Sequence, residues 1–443
     1  MQNAISGLQG VIDHVMVGHY VGYQGNAAIG VSWQIFVVVV VFVASLSSGM
    51  AVLVARYVGR GDAATVNRVV YQGLLAGFLL FALVLAPLGY LLSPTLLELV
   101  HAAPEVQAEA LPYLRILFVF SVGMLFFYLF GGALRAAGDA RTPLRLGALL
   151  TILNIVLSVV LIRGLGPIPA FGTRGAAIGT VAAAGVVMLL AGYLLFSHHL
   201  VVRFSLSMGL RPDWEIMRSL FRFGLPTGFQ GIAMNVGGVI LVRYVGALEL
   251  SAAAQAAYAV GYTQLFTLVA WTSVALMSAA AAVAGQNLGA DKPERAARAP
   301  LHAALIGLLF ALPMSLLYAF AHDTLLGLFG IRDPDVLALG GLLLVYLSIS
   351  APFLTTALAY TGALQGTGDT RSPMVISIIA QLVLPIGLCA SLDAWRGLSA
   401  ADIWTAIVLG HVTRGVLSVW RFHQGRWRHI KVDVGTPFSP QGR

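Results

Sequence analysis

One carboxylate stands apart from the other acidic residues of this 443-residue chain. Asp13 lies in Gly10-Val-Ile-Asp-His-Val-Met-Val-Gly18, inside an apolar segment, whereas the remaining seventeen Asp and Glu fall in polar stretches or at segment ends. A carboxylate in such surroundings costs several kcal/mol unless it is paired, hydrated or protonated, so it is a functional candidate. Its partners must come from other segments. Asn154 and Ser158, four residues apart in Leu153-Asn-Ile-Val-Leu-Ser158, share one helix face, and Thr180 lies in the next apolar segment. One carboxylate, one amide and two hydroxyls are enough for a proton relay or a weak sodium site. The single cysteine, Cys389, excludes a disulfide framework and a cysteine metal site. His198 and His199 are adjacent and so face different sides of a helix. No residue is assigned to catalysis, to a resident metal or to a cofactor, and the group would take H⁺ or Na⁺.

The elements that must hold these residues follow from composition. Apolar residues make up 58% of the chain, charged residues 10%, and mean hydropathy is +0.87. A soluble domain carries about 25% charged residues. Here repeated apolar runs of about 20 residues are each long enough to cross a hydrocarbon core of about 30 Å. Runs of that length must be helical, since backbone polar groups find no water in the bilayer. The expected fold is therefore an all-α integral membrane protein, with helices at 1–21, 27–56, 69–93, 111–136, 143–163, 175–197, 219–246, 252–284, 299–321, 336–365, 373–392 and 400–422. These twelve transmembrane helices form two six-helix repeats. The expected organisation is a first bundle over 1–197, a linker over 198–218, a second bundle over 219–422 and a tail over 423–443. The first helix lacks a basic flank and barely spans the core, so it reads as N-terminally truncated, with upstream turns expected in the native chain.

The duplication is visible in one motif. Gly132-Ala-Leu-Arg-Ala-Ala-Gly-Asp-Ala-Arg-Thr-Pro143 recurs, shifted by 230 residues, as Gly362-Ala-Leu-Gln-Gly-Thr-Gly-Asp-Thr-Arg-Ser-Pro373, with seven of twelve positions identical. Gln34 with Gln264, Phe36 with Phe266, Gly59 with Gly289 and Arg68 with Arg298 keep the same shift. Internal repeats in a membrane protein point to a transporter with its site between the halves. Thr142 and Ser372 are expected as hydroxyl N-caps before Pro143 and Pro373. Gly131, Gly132, Gly138, Gly362, Gly366 and Gly368 are expected to give the turns positive φ. Arg135, Asp139, Arg141 and Arg145 are expected to form a salt-bridge cluster.

The net charge of +8 invites a nucleic-acid reading, but its distribution explains it better. Loops on one side, together with a tail counted from Arg414, hold 20 of the 26 Lys and Arg. The positive-inside rule then places that side and both termini in the cytoplasm. Among the polar and aromatic residues of the apolar segments, Gln34, Tyr128, Gln230, Asn235, Tyr262, Gln264 and Tyr360 are the candidates to line a substrate cavity. Such aromatic faces suit flat organic cations. Arg243, alone in the seventh helix body, is expected to snorkel to an interface.

The Asp13 segment, the two copies of the glycine-rich motif, Asn154 through Leu161-Ile-Arg-Gly-Leu-Gly-Pro-Ile-Pro-Ala170, and Gly175-Ala-Ala-Ile-Gly-Thr180 together resemble the multidrug and toxic compound extrusion (MATE) family, closer to its DinF-like prokaryotic branch. Each motif is loose alone; the ordered set in a duplicated chain is specific. The resemblance implies two six-helix bundles facing a central cleft. It also implies alternating access, and export of organic cations and drugs against H⁺ or Na⁺ across a bacterial inner membrane, by a monomer that binds no nucleic acid. It matches the family's first-helix Asp to Asp13 and its fifth-helix Asn to Asn154. Ser158 stands where that branch often carries a second Asp, and the second-half carboxylates of NorM-like and eukaryotic members have no match. H⁺ is favoured over Na⁺ on that ground. The alternative is a flippase of the same broad fold for lipid-linked saccharides, whose anionic cargo would require several Arg or Lys inside the cleft. A membrane-embedded enzyme would need converging intramembrane acids, histidines or metal ligands, and a channel a repeated selectivity filter.

Overall fold

The structure is a computed structural model, and it describes residues 17–100, 102–197, 200–204 and 211–434. Within these the chain is helical almost throughout. The helices are α1 (Tyr23–Arg60), α2 (Ala63–Leu99), α3 (Pro104–Phe120), α4 (Val122–Ala136), α5 (Arg141–Arg163), α6 (Thr173–Phe196) and α7 (Trp214–Gly246). They continue as α8 (Ser251–Gly289), α9 (Pro293–Phe320), the short α10 (His322–Leu328), α11 (Pro334–Gly366), α12 (Arg371–Arg396) and α13 (Ala400–His423). Ten are long and apolar enough to span a bilayer. The pair α3 and α4, bent by 50° at a break of one residue, adds one more, so the described residues carry up to eleven spans. Of the twelve expected, the first, 1–21, falls mostly outside the described residues.

The helices run longer than the apolar segments predict. α1 has 38 residues, and at 1.5 Å per residue that is about 57 Å, well beyond a hydrocarbon core of about 30 Å. Apolarity marks only the lipid-immersed part; backbone hydrogen bonding carries the helix on into the polar zone. On α9, Leu305, Leu309, Leu312 and Leu316 are exposed on one stripe, as a lipid-facing surface requires.

By contacts the chain forms two compact units. One comprises residues 1–57, 62–225 and 433–443, the other 58–61 and 226–432. The boundary falls inside α7 at Pro226, where the ring removes an intrahelical hydrogen bond. α7 opens on Asp213, whose Oδ1 accepts from the Glu215 and Ile216 amides and whose carboxylate pairs with Arg68 of α2. Gln72 completes the anchor, donating to the Arg211 carbonyl at 2.9 Å and accepting from the Asp213 amide at 3.0 Å. The stretch read as a linker is thus helical from Trp214 on.

The duplicated motif is a helix–turn–helix in both units, but its chemistry differs from the expectation on three counts. The caps are the aspartates: Asp139 Oδ1 accepts from the Arg141 and Thr142 amides, and Asp369 Oδ1 accepts from the Ser372 amide. Thr142 and Ser372 instead donate their hydroxyls to Asp139 and Asp369 at 2.6 and 2.8 Å. A carboxylate suits the positive end of the helix dipole better than a hydroxyl. Asp139 therefore serves first as a cap, with both oxygens used on its own helix start, rather than as the centre of a salt-bridge cluster. Of the six glycines expected to turn the chain, only Gly138 and Gly368 have positive φ, +96° and +98°. Gly132, Gly362 and Gly366 are helical and serve as contact points, where a Cβ would overlap Ser47 Oγ, the Met277 carbonyl and the Ala281 carbonyl respectively.

The two copies also diverge. Asp369 is held by Arg421 of α13, through Nη2 at 2.9 Å and Nε at 3.1 Å, and is buried. The residue 230 positions before Arg421 is Ala191, so the first copy has no equivalent. Asp139→Ala is expected to cost about 1 kcal/mol, the usual value of a cap. Asp369→Ala should cost about 3 kcal/mol or more, because it also strands a partly buried Arg421. Thermal unfolding in detergent reads the difference; equal shifts would show that Arg421 contributes nothing.

Candidate functional site

In the first unit α5 and α6 pack tightly because α6 places Gly175 and Gly179 against α5. A Cβ on Gly175 would overlap the Leu161 carbonyl, and one on Gly179 would lie 2.8 Å from Ser158 Oγ and 2.9 Å from Ser158 N. This is the small-residue spacing that lets membrane helices meet backbone to backbone. The close approach brings Asn154, Ser158 and Thr180 together, all buried. Asn154 Nδ2 donates to Thr180 Oγ1 at 2.9 Å, and Thr180 in turn donates to the Ala176 carbonyl at 3.0 Å. That chain fixes the amide, so Asn154 presents Oδ1. Oδ1 and Ser158 Oγ are both buried with no hydrogen-bond partner among the described residues. Thr173 Oγ1 and Ser32 Oγ of the same unit are likewise buried and unpartnered. Buried oxygens without partners are rare and costly, and each calls for an explanation such as an ion or a proton-carrying group. Asp13 and His14 lie outside the described residues.

The seven candidate cavity residues separate. Gln34 and Tyr128 are exposed in the first unit; Asn235 and Gln264 are exposed in the second. The Asn235 amide donates to the Gly231 carbonyl of its own helix. Gln230 is buried and structural, donating to Ser377 Oγ at 2.8 Å and accepting from Gln365 at 3.1 Å. Tyr360 is buried against Phe422 and His423. Tyr262 belongs to a different cluster, stacked on Tyr258 at 5.0 Å and on Phe266 at 5.5 Å between centroids. These three sit on or beside a π-helical turn of α8, Ala259–Phe266; such wide turns are frequent at functional sites. Arg243 is exposed in the last turn of α7.

Arg414, counted with the tail, lies inside α13 and is 1% exposed. Trp404, His411, Arg414 and Ser418 form one buried stripe. Their spacing of seven, three and four residues, the signature of a single helix face, is the signal that would have found them.

A family model, MatE, matches residues 1–160 and 226–390. A protein of Thermotoga maritima described as a probable multidrug resistance protein NorM is 26% identical over 431 residues, 96% of this chain and 90% of that one. One of the same description from Rhizobium meliloti is 30% identical over 428 residues, 93% of this chain and 88% of that one. The solved structure of a MOP superfamily transporter from Pyrococcus furiosus superposes with a TM-score of 0.87 at 21% identity, covering 96% of this chain and 92% of that one.

Proposed function

Since this chain belongs to the MATE family of multidrug transporters, we propose that it is an H⁺-coupled antiporter that exports small organic molecules by alternating access. The observation that carries this reading is a pair of buried oxygens without partners among the described residues, Ser158 Oγ and the Oδ1 of an Asn154 amide fixed by Thr180. The reading adds Asp13, which lies outside the described residues, as the single carboxylate beside these neutral oxygens. That set accepts a proton readily and holds a bare Na⁺ weakly, since Na⁺ competes with water for oxygen ligands and gains little from a single charge. The basic loops support an orientation with both termini in the cytoplasm of a bacterial cell. The flippase reading asks for several cations within one cleft; among the described residues two arginines are buried, Arg56 towards the end of α1 and Arg414 in α13, one in each unit.

The driving forces set the yield. One pH unit is worth about 1.4 kcal/mol, and 100 mV about 2.3 kcal/mol for each net charge moved. Exchange of one H⁺ for a monovalent cation moves no net charge, so only the pH term acts; neutral and anionic substrates also draw on the voltage. The test uses proteoliposomes loaded with ethidium or with carboxyfluorescein, and follows efflux under an imposed pH gradient and then an imposed Na⁺ gradient. Efflux of either dye driven by the pH gradient is the expected result. Efflux driven only by Na⁺ would overturn the coupling ion, and efflux driven by neither would overturn the antiporter.

A further inference from the structure

The stripe on α13 holds a positive charge that the described residues do not neutralise. Trp404, His411, Arg414 and Ser418 are each 2% exposed or less. The indole Nε1 of Trp404, Nδ1 of His411, Nε and Nη1 of Arg414, and Oγ of Ser418 all lack a hydrogen-bond partner among the described residues. None of the nine acids of the same unit forms an ion pair with Arg414; Asp369, Asp402, Glu294 and Asp323 pair instead with Arg421, Arg396, Arg428 and His322. Arginine stays protonated even when buried. A buried ion without its partner is strongly destabilising, and this unit's own carboxylates do not provide one.

The surroundings of the guanidinium are ordered and aromatic. Tyr258 stacks on Trp404 at 6.1 Å and on Tyr262 at 5.0 Å, and Tyr262 lies parallel to His411 at 6.5 Å with 6° between planes. Arg414 follows His411 by three residues on the same buried face of α13. A flat ring would find stacking partners here, and an oxyanion attached to it would find guanidinium and indole donors. A cationic ring would meet Arg414 as a like charge.

We propose that Arg414, with Trp404, His411 and the Tyr258–Tyr262 stack, binds the carboxylate or phosphate of a flat aromatic molecule, so that the second unit selects organic anions. This deepens, and as a transport claim rests on, the exporter reading above; as a binding claim it stands alone. Ligand entry requires the π-helical turn Ala259–Phe266 to move from α13, because the stripe is closed in this structure.

The test is binding to the purified full chain in detergent, read by intrinsic tryptophan fluorescence and by thermal shift. The probes share one ring: 1-naphthoate, 1-naphthyl phosphate, the neutral 1-naphthamide and the cationic 1-naphthylmethylammonium. The two anions are expected to bind and to raise the unfolding temperature, and their ratio tells carboxylate from phosphate. The amide and the ammonium should bind at least about tenfold more weakly. Arg414→Gln should weaken anion binding about 10- to 100-fold while raising the unfolding temperature of the ligand-free protein, because a buried unpaired ion has been removed. If that variant does not fold, Trp404→Phe, which keeps the ring and deletes the N–H, should still weaken the anions selectively. Equal or tighter binding of the ammonium, or no binding of either anion, would overturn the site. Anion binding without efflux from proteoliposomes would leave the site standing and remove the exporter, whereas ethidium efflux without anion binding would do the reverse.

Discussion

In the Asp13→Asn variant, efflux driven by a pH gradient is expected to drop to the level of protein-free liposomes, a loss of more than about tenfold. The amide keeps the size and much of the hydrogen bonding of the carboxylic acid but cannot release a proton, so the site no longer cycles. Asp13 lies outside the described residues, and the expectation rests on its being the one carboxylate within an apolar segment. Asn154→Leu tests the described part of the same site. It removes the unpartnered Oδ1 and frees Thr180 from its 2.9 Å hydrogen bond, and its coupled efflux should fall by a comparable factor. Binding of substrate to both variants, measured without a gradient, should persist. Full gradient-driven efflux in Asp13→Asn would remove that residue from coupling. Loss of substrate binding along with efflux would make Asn154 a packing residue.

Gly362→Val and Gly366→Val should be the most destabilising of simple substitutions in the second unit. Both glycines lie on α11 four residues apart, and a Cβ on either would overlap a backbone carbonyl of α8, Met277 at one position and Ala281 at the other. A backbone oxygen cannot rotate away as a side chain does, so the two helices must separate. Separation opens gaps along a contact that includes the 2.9 Å hydrogen bond between Ser273 and Thr355, and overpacking of this kind costs about 1–3 kcal/mol per site or more. Thermal unfolding and the yield of monodisperse protein are the measurements. Gly387→Val, on α12 with open space around it, is the control and should be near neutral. Wild-type stability in Gly362→Val would show that α8 and α11 do not pack as closely as described.

Much of this architecture is legible without coordinates because the bilayer permits so little. Apolar runs of that length can only be helices, and a 230-residue shift that preserves a turn motif can only mean two related halves. The glycine-rich turn shows where that legibility stops. Its residues announced a turn, yet which glycine bends the chain and which admits a neighbouring helix depends on what stands opposite. Gly138 and Gly368 turn; Gly132, Gly362 and Gly366 touch. The same holds for Thr142 and Ser372, whose adjacency to proline suggested caps that Asp139 and Asp369 provide.

Composition, periodicity and short spacings are enough for the solvent, the helices, the duplication and the shared face of Asn154 and Ser158. That Thr180 joins them and fixes the Asn154 amide, and that Tyr262 and Tyr360 belong to separate clusters, follows from the packing of helices against each other. The same packing makes Arg414 an interior charge beside stacked aromatic rings. The physical reason is the same in each case. A helix's sequence tells which residues share a face, but whether a polar atom on that face is satisfied depends on the side chains that other helices bring to it.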